Sequence, residues 1–195
     1  MATADIERKA AALENDAQAV FAAYLCERML PNYRLFSEQA STGDSKVLRG
    51  MLDAIWDKLT TGKGAGWERW QEKLEAVTPS ESEHDVLGVY PAIAACTALS
   101  CLAQGFSERD AQCFLDVARV SKGSVAHYLE LGECAQIEDA NSRAAAVAEH
   151  ELMAYEVAVQ DAMLDFLRAE PRIHRELIRD VRQIAREEGH SNLGL

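Results

Sequence analysis

Apolar residues recur in steps of three and four along nearly all of this 195-residue chain, the period of helices with one buried face. From Ile6 they fall at Ala10, Leu13, Ala17, Val20 and Tyr24, which predicts an opening helix that stops at Pro31. Pro31 then suits the first turn of a short second helix, "PNYRLFSEQA", ending before Gly43. Asp44 is placed to cap a third, in which Leu48, Leu52, Ile55 and Leu59 step by four, three and four until the glycines of "GKGAG" end it. Trp67, Trp70, Leu74 and Val77 outline the next helix, and Thr78-Pro79-Ser80-Glu81 has the form of a capping box that opens another.

Ser107 is predicted to cap a longer helix with Phe114, Val117, Ser121, Val125, Tyr128 and Gly132 on one stripe; Gly123 inside it costs about 1 kcal/mol relative to alanine. From Asn141 the pattern resumes through Leu152, Tyr155, Val159, Met163 and Phe166 and stops before Pro171. Pro171 opens the last helix and Gly189 closes it. No stretch alternates with period two, so strands are not expected. The expectation is an all-α, single-domain helical bundle of about seven helices.

The run "VLGVYPAIAACTALSCLAQGFS", Val86 to Ser107, carries no charge. Taken as broken by Pro91, it leaves a helix to Gln104 of roughly 21 Å, short of a ~30 Å hydrocarbon core. It reads as the central helix of the bundle, close-packed through small side chains, and no membrane contact is expected. Cys96 and Cys101 project about 140° apart on it, too far to share a metal or a disulfide.

Composition adds constraints. The apolar fraction of 48% and charged fraction of 27% suit one globular domain. A net charge of −12 opposes binding to nucleic acid or anionic lipid. Five cysteines without C-x-x-C spacing read as reduced thiols, and "MATADIERKA" is unlike a secretory signal, so a cytoplasmic location is expected.

Three blocks, "CERMLPNYRLF", "LGVYPAIAACTALS" and "REEGHSNLGL", resemble the YjaG-like family of uncharacterised bacterial proteins, with "TTGKGAGWERW" departing most from its pattern. The resemblance implies a compact helical cytoplasmic domain and supplies no catalytic residues. Within the first block, Glu27, Arg28, Asn32 and Tyr33 are accounted for by packing at a helix corner; the alternative is the wall of a ligand pocket shared with Tyr90.

Other chemistry is weakly indicated. "GKGAG" lacks the Lys-Ser/Thr pair and preceding strand of a phosphate loop. "HELMA" at His150 has Ala154 where a zinc helix needs its second histidine, and the Glu81/His84 and Glu187/His190 pairs sit at helix ends rather than mid-helix. No metal, no cofactor and no catalytic constellation are assigned. The sharpest feature is a row of five arginines, Arg172, Arg175, Arg179, Arg182 and Arg186, on one side of the helix opposite Ile173, Leu177, Val181 and Ile184. The row is expected to face outward. Its like-charge i,i+4 pairs call for acidic neighbours, either local or on a protein partner or second protomer. A non-enzymatic, self-associating or partner-binding module is the leading functional reading, and a small-molecule or enzymatic bundle with a pocket near Tyr33 and Tyr90 is the alternative.

Overall fold

The computed structural model describes residues 2–84, 86–187 and 190–195, and among them it contains nine helices and no strand. These are α1 (Ala2–Ala11), α2 (Asn15–Ala40), α3 (Ser45–Thr61), α4 (Trp67–Glu75), α5 (Val89–Glu108), α6 (Ala111–Leu131), α7 (Ala140–Glu149), α8 (Glu151–Ala169) and α9 (Arg175–Glu187). The all-α expectation stands, with more helices than the seven anticipated.

The extra helices come from breaks made by polar side chains. The opening ladder is cut after Ala11, where the Gln18 side chain donates to the carbonyls of Leu13 (2.9 Å) and Ala10 (3.3 Å) that a continuous helix would have used. The ladder from Asn141 is cut at His150, whose Nδ1 accepts from the Leu152 amide (3.1 Å) and caps α8. His174 rather than Pro171 stands at the head of α9, its Nδ1 accepting from Leu177 N. Asp44 caps α3 as expected, but Asp110, not Ser107, caps α6, and residues 76–84 form turns where a capped helix was anticipated. The closing role assigned to Gly189 falls outside the described residues.

Pro31 does not end the second helix; α2 runs through it to Ala40. An internal proline removes one backbone hydrogen bond, here to the carbonyl of residue 27, at a cost of about 3 kcal/mol. Burial on both sides of the proline offsets that: every residue from Ala17 to Met29 is buried, as are Asn32, Tyr33 and Phe36. With 16 of 26 residues buried against 10 of 20 in α5, α2 is the central helix. Pro91 lies in the first turn of α5, where no amide is needed, so that helix is longer than expected, 20 residues or about 30 Å. It is the one described helix long and apolar enough to cross a membrane by length and composition. Its 18-residue apolar window is 56% buried against neighbouring helices, with Thr97 exposed on the outer flank.

Around α2 pack α5 and α6 on one side and α3 and α9 on another, while α8 lies on α1 and α6. The last helix, α9, docks on α2 and α3. Apolar side chains form two clusters. Along α6, Val117 and Ala118 belong to the larger and Val125 and Leu129 to the smaller; along α8 the order reverses, from Met153 to Met163 and Leu164. The residues between, Ser121 and Ser124 on α6 and Glu156 and Gln160 on α8, are buried and polar. A polar layer thus divides the core.

A cationic cleft between α2, α3 and α9

Adjacent residues on a helix point about 100° apart, and the pair Glu27 and Arg28 on α2 uses this to serve two separate networks. Arg28 faces the polar layer. Its Nη1 donates to Glu156 Oε2 at 2.6 Å, and both side chains are fully enclosed. Glu156 Oε1 accepts from Ser121 Oγ and Gln160 Nε2, each at 2.7 Å. One turn further along α2, Asn32 donates to Asn192 Oδ1 (2.8 Å), and Asn192 in turn donates to Ser121 O (3.0 Å) and Ser124 Oγ (2.9 Å). The segment Ser191–Leu193 is therefore buried in the core, pinned to α2 and α6.

Glu27 faces α3 and α9. Its Oε1 accepts from Arg49 (2.5 Å) and Arg186 Nε (2.9 Å); its Oε2 accepts from Arg49 Nη2 (2.9 Å) and the Trp56 indole (2.8 Å). A carboxylate offers about four lone-pair sites, so all are taken. Burial pushes the Glu27 carboxyl up, but Arg49 first, then Trp56 and Arg186, outweigh it and hold it below the ordinary glutamate value. At neutral pH it is an ionised, saturated acceptor, unsuited to act as a base or a metal ligand. Asp53, one turn from Arg49, pairs with Arg49 (3.0 Å), with Arg186 (3.4 Å) and with Arg182, whose guanidinium lies over the Trp56 ring. Burial, together with the charge of Arg186, lowers the pKa of Arg182.

Of these side chains, Glu27, Arg49 and Arg186 form one wall of a cleft of about 500 Å³, with Asp53, Trp56 and Arg182 bonded to that wall from outside its lining. Leu30, Pro31 and Tyr33 of α2, Ser45, Lys46 and Leu48 of α3 and Ala185 of α9 complete much of it, with Arg34 and His190 at its edges. The α2 contribution follows from spacing: 27, 30, 31 and 34 lie on one face.

The arginine row faces outward as its spacing predicts, except at Arg182, which is half-buried. Arg172 and Arg179 are exposed and make no ion pair among the described residues; Arg175, also exposed, donates to the Thr60 carbonyl (3.1 Å), the exposed Arg186 pairs with Glu27 and Asp53, and Arg182 turns onto Asp53. For the Arg182/Arg186 pair the acidic neighbours are Glu27 of α2 and Asp53 of α3 in the same chain. Of the pocket residues anticipated, Glu27, Arg28 and Tyr33 line the cleft, although Arg28 turns its charge beneath it toward Glu156. The Tyr33 hydroxyl is committed to Val77 O (2.7 Å) and the Asp44 amide (3.3 Å), so only its ring faces inward. Asn32 is sequestered with Asn192, and Tyr90 packs edge-on against His127 (4.5 Å) in a different groove between α5 and α6. Arg49, Asp53, Trp56 and Lys46 were missed; the Arg49/Asp53 i,i+4 pair was the available signal.

This is a helical domain whose distinguishing features are a divided polar core and a cationic cleft. The family model described as "Protein of unknown function (DUF416)" matches residues 5–195, and the chain belongs to that family. It is 34% identical to "Uncharacterized protein YjaG" of Escherichia coli K12 over 186 residues, 94% of this chain and 92% of that one. An uncharacterised protein of Haemophilus influenzae is 28% identical over 97% of this chain and 96% of its own. The crystal structure of a DUF416 family protein from Shewanella baltica OS155 matches with a TM-score of 0.91 at 32% identity, covering 97% of each chain.

Proposed function

We propose that this protein is a non-enzymatic ligand-binding domain whose site is the cleft between α2, α3 and α9. One observation carries the reading: a 500 Å³ concavity, within the range of small-molecule sites, is walled by a fixed ionic lattice and floored by Leu48 and Ala185. Saturation of Glu27 supports binding rather than catalysis, since its oxygens are occupied. The five free cysteines support a reducing compartment, the cytoplasm, as its location.

Native mass spectrometry tests this, applied to the full chain incubated with a cell metabolite extract, beside Ser45→Trp, which fills the cleft from the first residue of α3. A retained compound that disappears in the variant at unchanged melting temperature is expected. Equal retention by both proteins, or none by either, would contradict it. A second reading, a contact surface for an acidic protein or another protomer, keeps support from the exposed Arg172 and Arg179. Reversing both to Glu should then alter the sedimentation of the complex or oligomer, and an unchanged profile would remove it.

A further inference from the structure

The charge inventory of the cleft narrows the ligand. Behind its wall, three guanidiniums, Arg49, Arg182 and Arg186, share two carboxylates, Glu27 and Asp53, so the lattice carries one uncompensated positive charge. The spare donors point the same way. Arg186 spends Nε on Glu27 and Nη2 on Asp53, while its Nη1 has no partner among the described residues and its side chain is 46% exposed. Lys46, exposed at the mouth, makes no ion pair among the described residues. Among the described residues Arg34 is engaged only at 4.0 Å, by Glu38. Below these cations the lining turns apolar, with Leu30, Pro31, Leu48, Ala185 and the Tyr33 ring.

The whole-molecule charge of −12 acts against an anion, but range decides which field wins. At physiological ionic strength the Debye length is about 8 Å, so distant surface carboxylates are screened while the cations of the wall are in direct reach. A neutral ligand would leave the spare guanidinium donors to water, and a cation would meet an excess of like charge. Building on the proposal that this cleft is a ligand site, we infer that it takes a small molecule with an oxyanion, carboxylate or phosphate, joined to an apolar body. The oxyanion sits on Arg186 and Lys46, accepting charge-assisted hydrogen bonds from the spare Nη1 of Arg186 and from the Lys46 ammonium, and the apolar body on Leu48 and Ala185.

Four matched one-ring probes, phenyl phosphate, phenylacetate, benzyl alcohol and benzylamine, together with ring-free inorganic phosphate, test the class by calorimetry or protein NMR. Saturable binding of one or both aromatic anions is expected, at least about tenfold tighter than the neutral and cationic probes and than inorganic phosphate. Their order distinguishes phosphate from carboxylate. Arg186→Met and the exposed Lys46→Met should each weaken the preferred anion, with Lys46→Met serving even if Arg186→Met fails to fold. Equal affinity regardless of probe charge overturns the oxyanion assignment while sparing the cleft. Inorganic phosphate binding as tightly as phenyl phosphate removes the apolar body. No saturable binding of any probe overturns the ligand-site reading with it, and binding indifferent to both substitutions places the anion elsewhere and overturns this inference.

Discussion

Glu27 shows how much one side chain can carry when neighbours saturate it. Replacing it by Gln keeps the shape and removes the charge facing Arg49 and Arg186. Because those arginines stay part-exposed and can rehydrate, the expected loss in urea denaturation at pH 7 is about 2–3 kcal/mol, below the figure for a fully buried pair. The pH dependence has a definite sign. A carboxyl held below its ordinary value stabilises the fold above that value, about 4.3, and the contribution disappears as pH falls through the folded one. Wild type should therefore lose stability more steeply than Glu27→Gln below about pH 4.3; parallel curves would contradict the assignment. Glu156 is the buried counterpart. Glu156→Leu removes the carboxylate from an enclosed guanidinium and should cost about 3–5 kcal/mol. Cys96 behaves oppositely to a reactive thiol: burial pushes it up to about 11, so native protein at pH 7.5 should label there only on unfolding.

Secondary-structure elements were legible where the buried face is apolar and obscured where it is polar. α3 needed only Asp44 and its leucine ladder, and every anticipated position on it is buried or half-buried. α8 was read only in part: Met163 is buried as anticipated, but Tyr155 and Phe166 are exposed, and Met153, Glu156, Gln160 and Leu164 face inward. A pattern that counts polar residues as outward cannot find a face whose Glu and Gln are satisfied by Arg28 and Ser121. The same blindness ended α2 at Pro31, since the burial that sustains the helix comes from tertiary neighbours. α5 and α6 meet at Gly105, where a Cβ would lie 2.3 Å from the Phe114 ring. Gly105→Ala should therefore cost about 1–3 kcal/mol by forcing the ring aside. An unchanged urea midpoint would show that Phe114 yields freely.

Across the whole molecule, the arginine row joins residues with different tasks, which spacing alone could not separate. Arg182 is held by Asp53 over Trp56 and belongs to the scaffold, while Arg179 is exposed. Arg182→Glu should unfold more easily than wild type and Arg179→Glu should not. The cleft could not be read from the chain because its parts lie about 20 to 160 positions apart and meet only when α9 docks on α2 and α3. That docking also gives the site its own reporter, since the Trp56 indole donates to Glu27 inside the ionic wall. The most direct measurement is the indole N–H resonance of Trp56 during titration with phenyl phosphate. Saturable movement of that resonance, with those of Trp67 and Trp70 left in place, is the expected result. A stationary Trp56 signal, or equal and unsaturating drift of all three, would contradict an oxyanion site in the cleft.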